Sequence, residues 1–251
     1  MTDWTFRPSQ GTPHIEARIA TGRITVEATD GGSIEVSAHG SPESSVEVSQ
    51  LGDTIIIQQP RGRARSSLAV AVRTPQHSNV TISGVALDCR IGGHMGEVAV
   101  KTASGDVRVE SASRTTIKTA SGSVEVDAVG GPVVVAGAAA DVRIGEATGP
   151  VSVSVASGDT RVGVARDTVE VTTVSGDVYI GVSHGPSIKL KALSGDFDIG
   201  LPTGVRVEPD INTMTGSVKV PERDPDASAP TRTVQLTART TSGNVEIRRV
   251  S

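Results

Sequence analysis

Apolar and polar residues alternate along most of the chain in short stretches of the form Val-x-Val, and these stretches come in pairs. Residues 169–181, VEVTTVSGDVYIG, show one pair: two apolar positions, a spacer, a Ser-Gly-Asp turn and two further apolar positions. Alternation with a period of two is typical of β-strands that bury one face. Each pair of stretches therefore predicts two short strands joined by a turn.

The Ser-Gly-Asp turn recurs along the chain, mostly at intervals of 17 to 19 residues. Self-similarity at a fixed period near 20 residues indicates a stacked repeat architecture. A meander of hairpins would not repeat one turn at one period, whereas a coil that adds one parallel strand to each sheet per rung does. The pattern predicts an all-β parallel β-solenoid (β-helix) with rungs of about 18 residues and two short strands per rung. The serine positions of the turn are Ala86, Ser104, Ser121, Ala139, Ser157, Ser175, Ser194, Thr215 and Ser242.

Alternation also predicts which side chains point into the coil. The inward pairs of the first strand are Val80/Ile82, Val98/Val100, Thr115/Ile117, Val133/Val135, Val151/Val153, Val169/Val171, Ile188/Leu190, Val205/Val207 and Val234/Leu236. The inward pairs of the second strand are Cys89/Ile91, Val107/Val109, Val124/Val126, Val142/Ile144, Thr160/Val162, Val178/Ile180, Phe197/Ile199, Val218/Val220 and Val245/Ile247. Val178 should therefore lie between Thr160 and Phe197 of the neighbouring rungs.

The repeat continues without a disordered linker, which predicts a single elongated solenoid domain over residues 1–251. Residues 1–80 repeat less regularly, so they are expected to form irregular N-terminal rungs and a cap, with Trp4 and Phe6 covering the end of the core. Residues 81–251 are the regular repeat region.

Two segments, 61–67 and 221–230, interrupt the pattern and are expected to be exposed loops. The last repeat ends at Val245–Ser251 without an amphipathic helix or a lengthy cap, so it is expected to leave an open strand edge. Open edges recruit other chains. The sequence therefore predicts weak self-association through this end of the solenoid.

Charge and composition narrow the possible partners and the compartment. The net charge of −4 and the pI near 5.8 do not favour nucleic acid or an anionic membrane as a partner. The lone Cys89 falls at an inward position and cannot form an internal disulfide. The N-terminal residues lack the basic and apolar segments of a signal peptide, and no stretch is apolar enough for a membrane span. We therefore expect a cytoplasmic protein without membrane insertion.

Catalytic motifs are absent from the sequence: it contains no nucleophile elbow, P-loop, dinucleotide fingerprint or zinc-protease motif. We assign no catalytic, cofactor-binding or metal-binding residue. The histidines fall outside the Val-x-Val stretches and are expected in loops: His14, His39, His77, His94 and His184. Few aromatic residues could stack on a sugar ring: Trp4, Phe6, Tyr179 and Phe197.

Aspartates occupy the turns of six repeats, and stacked carboxylates can bind cations. These residues are Asp88, Asp106, Asp141, Asp159, Asp177 and Asp196, and arginines follow the first four of them two residues later, at Arg90, Arg108, Arg143 and Arg161. An exposed ladder of opposite charges is therefore expected, each pair contributing about 0–1 kcal/mol. Tyr179 takes the place of the arginine beside Asp177, Asp196 and Asp198, and cation binding at this patch stays open.

The units KTASGDVRVE, KTASGSVEVD and TTVSGDVYIG resemble those of a bacterial family of β-strand repeat proteins named "putative adhesin", whose function is unknown. The likeness covers nearly the whole chain. It implies a β-solenoid without an assigned enzyme activity. Some members of the family accompany cell-envelope stress systems, so the resemblance also implies a link to such a system.

These observations favour a non-enzymatic scaffold or binding protein, which would bind a protein partner or a second copy of itself through the solenoid ends. The alternative is a carbohydrate-active enzyme, a polysaccharide lyase or hydrolase, on a related β-helix. A carboxylate cluster in one groove beside exposed aromatic residues would favour the enzyme.

Overall fold

Extended strands and tight turns make up the computed structural model, which describes residues 2–8, 11–40, 46–60, 68–221 and 232–250. The chain divides into two compact units, Met1–Ala128 and Val129–Ser251. All regular elements in the described ranges are strands, and none of these ranges contains a helix able to cross a membrane. The all-β class is confirmed, and the single-domain organisation stays a prediction. The predicted loop 61–67 and residues 222–230 of the second predicted loop lie outside the described residues.

The strands of the first unit pair mainly in parallel. They are β1 (Thr2–Phe6), β2 (His14–Thr29), β3 (Ile34–His39), β4 (Glu47–Leu51), β5 (Thr54–Gln58), β6 (Leu68–Pro75), β7 (Asn79–Thr102) and β8 (Val107–Val129). β2 runs parallel to β7 from His14 opposite Asn79 to Glu27 opposite Gly92. The later part of β7 runs parallel to β8, with Cys89 opposite Val107.

The irregular N-terminal residues add antiparallel strands to this stack. β5 and β6 pair in parallel with β2, but β3 is antiparallel to β6, β1 is antiparallel to β3, and β4 is antiparallel to β5. Trp4 and Phe6 lie half-buried on β1. The parallel strands of this unit therefore end in a border of antiparallel strands.

The second unit contains parallel strands that are stacked at the repeat period. The strands are β9 (Val133–Ala147), β10 (Val151–Ser157), β11 (Thr160–Ala165), β12 (Val169–Ser175), β13 (Val178–Ser183), β14 (Ser187–Lys191), β15 (Phe197–Pro202), β16 (Val205–Thr215), β17 (Val218–Lys219), β18 (Arg232–Ser242) and β19 (Val245–Val250). Val151 lies opposite Val133 on one side and Val169 on the other. Val178 lies between Thr160 and Phe197, as predicted.

The order of the coils changes near the C-terminus. β18 lies between β14 and β16, and β19 lies between β15 and β17, so the last repeat is inserted beneath the repeat that precedes it in the sequence. The prediction that Val245–Val250 forms the open edge is therefore wrong. Parallel pairing allows this change of order because either β17 or β19 could form the main-chain hydrogen bonds with β15.

The core consists of the inward residues predicted from alternation. Val, Ile and Leu at these positions are almost fully buried, as are Thr115 and Thr160, whose hydroxyls have no hydrogen-bond partner. Val207, Val218 and Val220 are the exceptions, because β16 and β17 have a described neighbour on one side alone. In several coils a further buried position lies three or four residues after the inward pair of the second strand: Met95, Ala112, Ala147, Ala165 and Ser183.

Candidate interaction surface

The Ser-Gly-Asp turns stack closely on one another, and Gly176 and Gly195 each lie directly against the glycine of the preceding turn. Gly176 has a φ of +142°, and a Cβ atom placed there would lie 2.1 Å from the main-chain oxygen of Gly158. A residue with a side chain would therefore be strained and would also collide with the neighbouring coil. The turns are held close together by glycine, which fixes the spacing of the polar residues around them.

The turn aspartates accept hydrogen bonds from the neighbouring coil. In each case one carboxylate oxygen accepts the amide N–H of the equivalent residue in the next coil. The donor–acceptor pairs are Asp106 to Asp88 (3.2 Å), Ser123 to Asp106 (2.9 Å), Asp159 to Asp141 (2.9 Å), Asp177 to Asp159 (3.0 Å), Asp196 to Asp177 (2.8 Å) and Asn244 to Asp196 (2.7 Å). The aspartates therefore form a column of hydrogen bonds that joins coil to coil within each unit.

Asp106 has an additional donor above it. The hydroxyl of Ser123 donates to the same Asp106 oxygen at 2.7 Å, beside the amide of Ser123. These bonds, with the hydroxyl contributing most, lower the pKa of Asp106 below its usual value. Hydrogen bonds to a carboxylate favour its ionised form.

The arginines on the outer face pair with acids less regularly than the sequence predicts. Arg161 does contact Asp159, at 3.2 Å. Arg108 instead reaches Glu125 at 2.9 Å and Asp127 at 3.3 Å in the next coil. These charges are exposed, so each pair adds little to stability.

The patch formed by Asp177, Asp196 and Asp198 is already occupied by protein donors. Asp177 and Asp196 each accept an amide N–H, and Asp198 binds the Nε of Arg248 at 2.5 Å. The guanidinium of Arg248 also lies 5.3 Å from the ring centre of Tyr179, and its bond to Asp198 raises its pKa. No group of three or more potential metal ligands occurs in the described part of the chain. The arrangement therefore gives no support to a cation site here.

A groove of about 300 Å³ runs beside this patch, on the outer face of β15, β17 and β19. It contains three carboxylates, of which Asp196 accepts hydrogen bonds from the main-chain and side-chain amides of Asn244, Asp198 binds Arg248, and Glu246 lies 3.9 Å from Lys219. Phe197, the aromatic residue among those that line the groove, is 1% exposed. The carboxylates of the groove are therefore not accompanied there by an exposed aromatic side chain, and the enzyme alternative is not supported.

Cys89 is buried inside the first unit, as the sequence predicts. Burial is the main reason why its pKa rises to about 12, and the nearby Asp88 adds to the effect. The thiolate is the reactive form of cysteine, so burial disfavours the reactive form of this core side chain.

The open edge, which consists of β16 and β17, exposes apolar residues at positions that are buried in the other coils. Val218 and Val220 are 44% and 47% exposed, whereas the matching Val178 is 1% exposed. Val207 and Ile211 are half-buried, and Met214 is exposed. Within the described residues no strand pairs with the outer side of β16 or β17. Sequence reasoning missed this surface, because the inserted last repeat leaves no mark on the alternation pattern.

These observations define an all-β protein of parallel stacked repeats without a recognisable catalytic centre in the described residues. Residues 13–250 match the model of the family described as Toastrack DUF4097, and the chain belongs to that family. The resemblance to the adhesin-type repeat family is thereby confirmed.

Solved structures of low sequence identity are similar to this chain. A putative lipid binding protein from Parabacteroides distasonis ATCC 8503 is similar over 100% of this chain and 96% of that chain, with a TM-score of 0.50 and 12% identity. A putative adhesin from Bacteroides fragilis NCTC 9343 is similar over 98% of this chain and 96% of that chain, with a TM-score of 0.42 and 12% identity. No curated protein matches the chain in sequence.

Proposed function

We propose that the protein is a non-enzymatic binding scaffold in which each compact unit is a parallel β-solenoid with coils of about 18 residues. Registers such as Val133, Val151 and Val169 in line support this coil length. A place beside a cell-envelope stress system and a cytoplasmic location remain expectations from the sequence.

The open edge carries the binding function in this proposal. It combines uncovered apolar side chains with a strand that has a described neighbour on one side alone. Unpaired strands and exposed apolar patches are the features by which sheets accept a further strand from another protein. The partner is therefore a protein that supplies an extended segment, in keeping with an adhesin-type role.

The column of turn aspartates supports this role by making the edge rigid. Asn244 continues the column to the coil of β16 and β17. There its side-chain oxygen accepts hydrogen bonds from the amide of Ser217 at 3.0 Å and from the hydroxyl of Ser217 at 2.8 Å. A strand that is already held in its extended form loses little conformational freedom when a partner binds.

A labelled coil peptide tests the proposal. A fluorescent peptide of residues 169–183 contains both strands of one coil, and its binding to the full chain can be followed by fluorescence anisotropy. We expect saturable binding that weakens at least tenfold in Val218→Asp, because the substitution places a charge in the apolar contact.

The matched control is Val134→Asp, which changes an exposed valine on the outer face of β9, away from the open edge. Val134→Asp should bind the peptide as the parent chain does. Absence of binding by the parent chain, or equal weakening by both substitutions, would rule out the open edge as the binding surface.

A further inference from the structure

The main-chain groups of β16 alternate between the inner and the open side of the strand. The amide of Gln235 donates to the carbonyl of Pro186 at 3.0 Å, so Gln235 turns its main-chain groups towards β14 and the next residue, Leu236, turns towards β16. In a parallel pair, the residue opposite such a residue turns its own main-chain groups away. Pro209, opposite Leu236, therefore faces the open side and offers an acceptor there, while Val207 offers both a donor and an acceptor.

The side chains beside these groups carry opposite charges. Arg206 and Glu208 are exposed on the outer face of β16, and neither has an ion-pair partner among the described residues. Asp210, the next residue on that face, is bound by Arg239 at 3.3 Å. Val207 lies between Arg206 and Glu208 and points to the half-covered core. Among the described residues, β16 therefore carries an unpaired cation, Arg206, and an unpaired anion, Glu208, with the apolar Val207 between them.

We propose that the open edge binds a second copy of this chain, with the two β16 strands antiparallel about a two-fold axis through Val207. This inference rests on the proposed function and names its partner. The arrangement places Arg206 of each copy opposite Glu208 of the other in a non-hydrogen-bonded pair, whose side chains lie close together, while Val207 exchanges main-chain hydrogen bonds with Val207 of the other copy. A two-fold axis uses the same surface on both copies, so the charge pair forms twice.

The charge pattern selects this register over its neighbours. An axis through Arg206 or Glu208 sets that residue against its own copy, and an axis through Pro209 sets Glu208 against Asp210. Like charges directly opposite each other destabilise paired strands, whereas opposite charges stabilise them. Among these closely spaced registers, the one centred on Val207 makes opposite charges meet without a like-charge pair.

Charge exchange tests the register. Sedimentation velocity over a range of concentrations should show dimerisation of the full chain, and Arg206→Glu or Glu208→Arg alone should weaken it about tenfold. An equimolar mixture of the two variants should recover dimers, because each heterodimer then contains two opposite-charge pairs. The double variant R206E/E208R should recover them as well. Arg143→Glu, which makes the same charge change on the outer face of β9, should leave dimerisation unchanged.

Three results would overturn the inference: a monomer at every concentration, single variants that dimerise as the parent chain does, or single variants whose mixture stays monomeric. Circular dichroism on each variant separates loss of dimerisation from loss of folding, and recovery in the mixture requires folded variants. A monomeric chain that still binds the peptide of residues 169–183 would refute the second copy and leave the proposed function standing.

Discussion

Two coils of the second unit carry nearly the same sequence pattern and have different environments. In β13 the run Val178-Tyr179-Ile180 places both apolar residues in the core, where Val178 is 1% exposed. The corresponding run Val218-Lys219-Val220 at β17 leaves both valines more than two-fifths exposed. β13 has a paired strand on each side, whereas β17 has a described partner in β19 alone.

The difference shows that burial in this fold is supplied by neighbouring coils rather than by the motif. Alternation determines which side chains point inward, but a side chain leaves water only when coils cover it above and below. The same substitution should therefore have unequal effects at the two places. In the interior the substitution disrupts packing against the coils on both sides. At the open edge it disrupts packing against one coil, at a side chain that is already partly exposed to water.

The largest difference is expected for a buried charge. Val178→Asp should lower the free energy of unfolding by more than about 4 kcal/mol, because it removes an apolar side chain from the core and buries a carboxylate without a partner. Val218→Asp should cost less than about 1 kcal/mol, since its carboxylate stays in water. Denaturant unfolding followed by circular dichroism measures both.

Arg161→Ala serves as a control on the outer face and should remain within about 1 kcal/mol of the parent chain. If Val218→Asp were as damaging as Val178→Asp, the open edge would be covered in solution. Equal damage from Arg161→Ala and Val178→Asp would contradict the assignment of inward and outward faces.

The glycine of the interior turn should give the next largest effect. Gly176→Ala places a Cβ atom 2.1 Å from the main-chain oxygen of Gly158 at a φ of +142°, so we expect a loss of about 3 kcal/mol. Gly130→Ala is the matched control, because its φ is not in the left-handed region and a Cβ there meets no atom within 4 Å. Thermal unfolding of the two variants compares them, and equal melting temperatures would refute the close approach of the turns.

Much of the fold could be predicted from the sequence because the repeat is defined by patterns of residues that lie close together along the chain. Period-two alternation predicts the inward pairs, and the common turn at one period predicts parallel stacking, as Val151 between Val133 and Val169 shows. The position of the last repeat could not be predicted in this way. β18 and β19 carry the same alternation as β16 and β17, so the pattern does not determine which of them is outermost.

The role of the turn aspartates also needed three-dimensional information. The sequence places Asp159 and Arg161 close enough to pair, and they do. The bond from the amide of Asp177 to Asp159 joins residues 18 apart in the sequence. It is recognisable only when the register of neighbouring coils is known. Recurrence of aspartate at the coil period was the available signal, and the sequence reasoning interpreted it as a charge ladder.

A moderate effect is expected when the aspartate column is interrupted in the interior. Asp159→Ala removes the acceptor of the Asp177 amide and should cost about 1–2 kcal/mol. Asp159→Asn keeps an oxygen at the same place and should recover most of this loss. Asn244→Ala, which removes the acceptor of the Ser217 amide at the open edge, should cost less than Asp159→Ala, because water can reach the exposed Ser217. Chemical denaturation of the three variants would show this order, and equal losses in all three would disprove the difference between interior and edge.

The smallest expected effect is a dependence of stability on pH that arises from Asp106. Its pKa is lowered in the folded chain, mainly by the Ser123 hydroxyl, and its ordinary value is 3.8. A carboxyl group whose pKa falls on folding stabilises the folded state above its ordinary pKa, and this contribution is lost as the pH falls through the folded value. Unfolding measured between pH 7 and pH 2 should therefore show that Ser123→Ala lowers stability at neutral pH and approaches the parent chain in acid. A constant difference across the range would mean that the hydroxyl does not act through the ionised form of Asp106.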